Sequence, residues 1–153
     1  MEKSCCVTGH RKIPAMQIPY VIEELRKQIQ LAIESGYTHF ISGMAEGTDL
    51  FFSKIVAEMK AVNPNITLEA AIPHRRRLNA KDKTFQRLIK LCDSINVTAE
   101  TYSEGAYINR NMYMVNKSGR VIAVYDGRDS GGTEFTIRFA KTRDKEIYII
   151  PIK

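Results

Sequence analysis

Ser42-Gly43-Met44-Ala45-Glu46-Gly47-Thr48-Asp49 closes a short apolar run that begins at Tyr37. It opens a stretch in which Phe52, Ile55, Val56 and Met59 fall on one helical face. Asp126-Gly127-Arg128-Asp129-Ser130-Gly131-Gly132-Thr133-Glu134 repeats the arrangement between the run Val121 to Tyr125 and a helical stretch from about Thr133 to Thr142. A strand that passes through glycines straight into a helix leaves backbone N–H groups free at the helix start, where phosphate is well accommodated. Two such junctions in one small chain point to an α/β protein with a phosphate-bearing ligand, most naturally a nucleotide. They do not decide whether the ligand is held or chemically changed.

The alternation extends in both directions. Ser4 to Thr8 reads as a first strand, and about Pro19 to Ser35 as a helix with Val21, Leu25, Ile29 and Ala32 inward. Pro19 near its start and Gly36 past its end are the expected punctuation. Thr48 or Asp49 is placed to cap the next helix. Ile66 to Ile72 reads as a strand, Asn79 to Cys92 as a helix and Ser94 to Val97 as a short strand. A helix over Ala106 to Lys117, the all-apolar strand Val121 to Tyr125, the last helix and the strand Ile147 to Ile152 complete the pattern. This rhythm predicts one Rossmann-like domain over residues 1–153, with a doubly wound, mostly parallel sheet of about six strands.

The chain has 153 residues, 44% of them hydrophobic and 26% charged, enough for a core without disulfides or metal. No run approaches a membrane span and no secretory signal pattern opens the chain, so a cytoplasmic protein without a membrane partner is expected. Cys5, Cys6 and Cys92 form no pairing framework. The net charge of +6 favours anionic partners, nucleotide or nucleic acid, and Arg75-Arg76-Arg77 is the densest basic cluster. A homo-oligomer is compatible with all of this.

In a doubly wound sheet, ligands sit beyond the carboxyl ends of the strands, and the distinctive loops all fall there. Thr8-Gly9-His10-Arg11 is neither a dinucleotide fingerprint nor a P-loop. Gly9 permits close backbone approach, and Arg11 offers a two-pronged contact to phosphate. Gly43 and Gly47 bracket a loop that can pass beneath a ligand. Thr48 offers a hydroxyl and an amide to phosphate, and Asp49 an acceptor for a ribose hydroxyl. Gly131, Gly132 and Thr133 form the better anion cradle, where Thr133 can cap the helix or bind phosphate, and Glu134 is the carboxylate next to it. His10, His39 and His74 are isolated, so no metal site is expected. No G-x-S-x-G elbow marks a serine hydrolase.

Together, Thr-Gly-His-Arg, Ser-Gly-Met-Ala-Glu-Gly-Thr-Asp, Arg110-Asn111-Met112-Tyr113, Val121 to Gly127 and Gly131-Gly132-Thr133 resemble the YpsA-like family. That family lies in the SLOG superfamily, with the DNA-processing protein DprA and the lonely-guy (LOG) phosphoribohydrolases. The resemblance covers nearly the whole chain and implies a Rossmann-like fold with a nucleotide-type ligand, or a nucleotide-sugar, on the glycine loops; no cofactor is fixed by it.

The resemblance leaves three readings. The leading one is a binder or sensor of a nucleotide-derived ligand using Gly9, Arg11, Gly43, Gly47, Thr48, Asp49, Arg110, Gly131, Gly132 and Thr133. The second is a LOG-like hydrolase of an N-glycosidic bond, with Arg110 and Glu134 as catalytic residues. Here the loop departs from the LOG pattern P-G-G-x-G-T-x-x-E: with Gly132-Thr133 on its Gly-Thr, the glutamate position holds Thr136. The third is single-stranded nucleic-acid binding as in DprA, whose R-N-R segment Arg110-Asn111 resembles, using Arg75, Arg76, Arg77 and Arg110. The basic loop has no obvious aromatic stacking residues of the kind single-strand binding uses; Tyr102, Tyr107 and Tyr113 could supply some, with core packing the default expected for all three.

Overall fold

A computed structural model describes residues 2–153. The elements are β1 (Ser4–Gly9), α1 (Ile18–Glu34), β2 (His39–Ser42), α2 (Thr48–Val62), β3 (Thr67–Ile72), α3 (Lys83–Ile89), β4 (Ser94–Val97), α4 (Ala106–Lys117), β5 (Arg120–Tyr125), α5 (Gly132–Thr142) and β6 (Glu146–Pro151). Two short 3-10 turns cover Ala15–Gln17 and Arg75–Asn79. The strands form one six-stranded sheet in the order β4-β3-β2-β1-β5-β6. Every neighbouring pair is parallel. The chain runs outward from β1 to β4, then returns to place β5 on the other side of β1. The strand order therefore switches between β1 and β5, where an open α/β sheet leaves a crevice.

Side chains alternate across the sheet, and the core divides accordingly. Val7, Phe40, Leu68, Ile122 and Val124 pack on the α1–α2 side with Leu25, Ile29, Phe52 and Val56. Ala70 and Ile72 continue that face toward Phe85 and Leu88 of α3. Cys6, Ile41, Ala71 and Val121 face the other way, against Met114, Val115 and Ala140 of α4 and α5. Both faces of β1 and β5 are thus covered, which is why these strands read as continuous apolar runs. Each fully buried Phe or Leu contributes about 1.5–3 kcal/mol of transfer free energy.

Three local expectations are corrected. The helix expected over Asn79 to Cys92 is limited to Lys83–Ile89. Asp82 starts it late, its carboxylate accepting from the amides of Thr84 at 2.8 Å and Phe85 at 3.3 Å, and Arg75–Asn79 coils into the separate 3-10 turn. Neither Thr48 nor Asp49 caps α2: the cap position is Gly47, and both residues lie inside the helix. Thr133 does not cap α5 either; Gly131 holds that position, with no side-chain cap.

Candidate functional site

A crevice of about 590 Å³ opens at the switch point. Its walls are the β1 end with His10, Arg11 and Lys12, the loop from Arg128 to Thr133 that leads into α5, and the inner face of α4 with Tyr107, Arg110 and Asn111. Four permanent cations line it (Arg11, Lys12, Arg110 and Arg128) against one carboxylate, Asp49. This volume suits a nucleotide-sized ligand, and the charge balance selects an anionic one.

The two glycine-rich helix starts differ in what meets them. At α2, the protein's own backbone fills the position a phosphate would take. The Thr48 amide donates to the His10 carbonyl at 3.3 Å, and its hydroxyl donates to the same oxygen at 2.9 Å. Gly47, at φ +77°, packs directly under the Arg11 carbonyl. Gly43 is flanked by Arg110 and Asp49. Gly43, Gly47 and Thr48 therefore shape the crevice floor from beneath and do not line it.

At α5, Gly131 adopts φ +109° and ψ 177° and turns the chain into the helix. A left-handed φ of this kind favours glycine. The amides of the first turn lack a side-chain acceptor, and Gly131, Gly132 and Thr133 border the crevice. Of the sequence-predicted residues, the structure thus brings Gly9, Arg11, Asp49, Arg110, Gly131, Gly132 and Thr133 into one cavity.

Arg110 is only 4% exposed. Its Nη1 donates to the carbonyls of Gly43 at 2.7 Å and Ala71 at 3.0 Å, and its Nε to Asn111 Oδ1 at 2.9 Å. It pins α4 to the ends of β2 and β3 while presenting charge to the crevice. Burial lowers its pKa, partly offset by Asp49. Asp49, 7% exposed, accepts the Ala45 amide at 3.2 Å. Burial raises the Asp49 pKa, and Arg110 opposes the rise. Asp49 is thus the crevice's carboxylate, within an electropositive surround.

At the mouth, Arg128 grips Asp126 through Nε and Nη2, the latter at 2.6 Å. That contact holds the Asp126 carboxyl well below the usual carboxylate range and fixes the guanidinium stem beside Gly131. His10 Nε2 lies 3.1 Å from the Asp126 amide nitrogen. The same nitrogen lies 3.2 Å from Asp126 Oδ1, and burial lowers the His10 pKa against the pull of Asp126. Glu134 does not line the crevice. Its carboxylate accepts from Arg138 at 2.9 and 3.2 Å, one helical turn on, and this pairing lowers its pKa.

Arg128 and Lys12 belong to the crevice without having been expected there, and so do Tyr107, expected in the core or as a stacking surface, and Asn111, noted only as part of the Arg110-Asn111 segment. Arg128 sits inside the glycine-rich stretch, whose charge was the available signal. Tyr107 precedes Arg110 by three residues, the spacing that places both on one face of α4, whereas Asn111 follows Arg110 directly and is tied to it by its side-chain hydrogen bond.

The YspA SLOG (YpsA) family profile matches residues 5–152. Among curated proteins, UPF0398 protein BH1768 of Halalkalibacterium halodurans is 24% identical over 84% of this chain and 71% of its own. The SPbeta prophage-derived protein YoqJ of Bacillus subtilis is 31% identical over 79% of this chain and 76% of its own. Among solved structures, DNA processing protein A from Helicobacter pylori, described for its single-stranded DNA binding mode, superposes with a TM-score of 0.69 at 16% identity. That match covers 99% of this chain, which spans 66% of that protein's chain. The Moco carrier protein of Chlamydomonas rheinhardtii superposes with a TM-score of 0.57 at 18% identity, over 97% of this chain and 76% of that one. At such identities the likeness is one of fold.

Proposed function

The chain belongs to the YspA SLOG family, and from that premise and the crevice at the switch point we propose that it binds a nucleotide unit by its phosphate, within a single strand in preference to a free nucleotide. The observation that carries this reading is the uncapped N-terminus of α5, opening into a crevice lined by four permanent cations and one carboxylate. The preference for a strand is supported by the likeness to DNA processing protein A and by the net charge of +6. A free nucleotide-derived ligand, sensed and not consumed, would use the same phosphate seat. N-glycosidic hydrolysis has less support: Glu134 faces Arg138, which leaves Asp49 as the carboxylate near a bound ribose.

The test is equilibrium binding of a labelled oligothymidylate and of nucleoside monophosphates, with free-base release measured alongside. Wild type is expected to bind the strand, with log affinity falling by about 0.7 per phosphate for each decade of salt. Gly132→Glu has open space for its side chain, folds, and loses binding by placing negative charge in the seat. Arg128→Ala weakens binding about tenfold or more, the scale of a lost charge-assisted hydrogen bond. Unchanged affinity in a folded Gly132→Glu contradicts the seat, and robust release of free base by wild type promotes the hydrolase reading.

A further inference from the structure

Three aromatic rings run outward from the crevice. Tyr107 lines it. His74 packs edge-on against Tyr107, with ring centroids 5.9 Å apart, and edge-on against Tyr102 at 5.5 Å. His74 and Tyr102 lie outside the crevice. Tyr102 is 60% exposed, which overturns core packing as its default, and its hydroxyl makes no hydrogen bond among the described residues. A tyrosine ring left this open in the loop between β4 and α4 contributes little to the core. Its ring meets His74, two residues past the end of β3, edge-on.

Charge is arranged around the same rings. The Arg11 guanidinium lies 5.4 Å from the Tyr107 ring centre and Arg110 lies 5.6 Å from it. Of the two glutamates that flank Tyr102 in sequence, Glu100 is clamped by Arg75 at 2.7 and 2.8 Å, while Glu104 is exposed and has no ion pair among the described residues. Arg76 is exposed and has no ion pair among the described residues.

From this geometry we infer that Tyr102, supported by His74, is a base-stacking platform for the nucleotide next to the one whose phosphate sits in the crevice. The inference rests on the reading of the crevice as a strand-binding site. The crevice already has the volume for one nucleotide, so rings beyond its rim meet whatever extends from it. Every base has a π face, and stacking on an exposed tyrosine is tolerant of sequence. The partner is therefore a single strand, recognised without base readout at this subsite.

The experiment compares wild type, Tyr102→Ala and Tyr102→Phe for binding of a labelled oligothymidylate of about a dozen nucleotides and of thymidine monophosphate. Tyr102→Ala is expected to weaken strand binding by about tenfold or more, Tyr102→Phe to retain it, and the monophosphate to bind all three alike. Wild-type strand affinity in Tyr102→Ala overturns the platform and leaves the crevice reading standing. An equal loss for strand and monophosphate overturns it too, since Tyr102 would then belong to the crevice. A wild-type chain that binds no strand overturns the platform together with the single-strand reading.

Discussion

At the scale of single residues, Gly47 and Gly132 separate scaffold from binding surface. Gly47 combines φ +77° with a side-chain position blocked by the Arg11 and His10 carbonyls. Gly47→Ala therefore forces the β1 loop away from α2, and a loss of about 2 kcal/mol or more is expected in urea denaturation. Gly132→Ala meets nothing within 4 Å and is expected to stay within about 0.5 kcal/mol of wild type. In the sequence both stand at a strand-to-helix junction and both read as ligand-site glycines, Gly132 in the better cradle. What distinguishes them is the His10 carbonyl, which accepts from Thr48 across 38 residues, a tertiary contact that no local pattern records. Glu134 has the same lesson in reverse: its place in the first turn of α5 was legible, but its turn toward Arg138 depends on a rotamer.

Among elements, β3 carries a buried charge on the side of the sheet that faces α4. Glu69, 2% exposed, accepts from His39 Nε2 at 2.7 Å, the Tyr113 hydroxyl at 2.5 Å and Lys117 Nζ at 3.0 Å. Burial pushes its pKa up, but the bonds from His39, Tyr113 and Lys117 outweigh burial and bring it down to about 2 from the ordinary 4.5. Because the folded value lies below the unfolded one, the stabilisation is complete above about pH 4.5 and is lost as pH falls through about 2. Glu69→Gln is expected to cost about 2–3 kcal/mol near neutral pH. The gap to wild type should close across that acid window when urea midpoints are followed against pH. A gap that stays constant from pH 6 to pH 2.5 would contradict the ionised network. The strands and most helices were legible because apolar runs and helical periodicity survive without tertiary knowledge. The helix α3 was overextended because the Asp82 cap and the basic 3-10 turn before it carry no periodic signal.

At the scale of the whole molecule, the sheet order brings the β1 end, the α5 entry and α4 around one basic crevice, although they lie up to about 120 residues apart in the chain. The parallel sheet and the edge that bears the loops follow from the strand-helix rhythm. The crevice's membership does not, since Lys12, Tyr107, Asn111 and Arg128 come together only through the pairing of β1 with β5 and the packing of α4 beside them. The central claim is that phosphate is held by the open helix start of α5 and not by the filled one of α2. Its most direct measurement is the shift of backbone amide resonances during titration with the oligothymidylate. The account predicts saturable shifts greatest at Gly132, Thr133 and Glu134, with Gly47 and Thr48 little changed. Saturable binding whose greatest shifts fall at Gly47 and Thr48, or away from both loops, would contradict it.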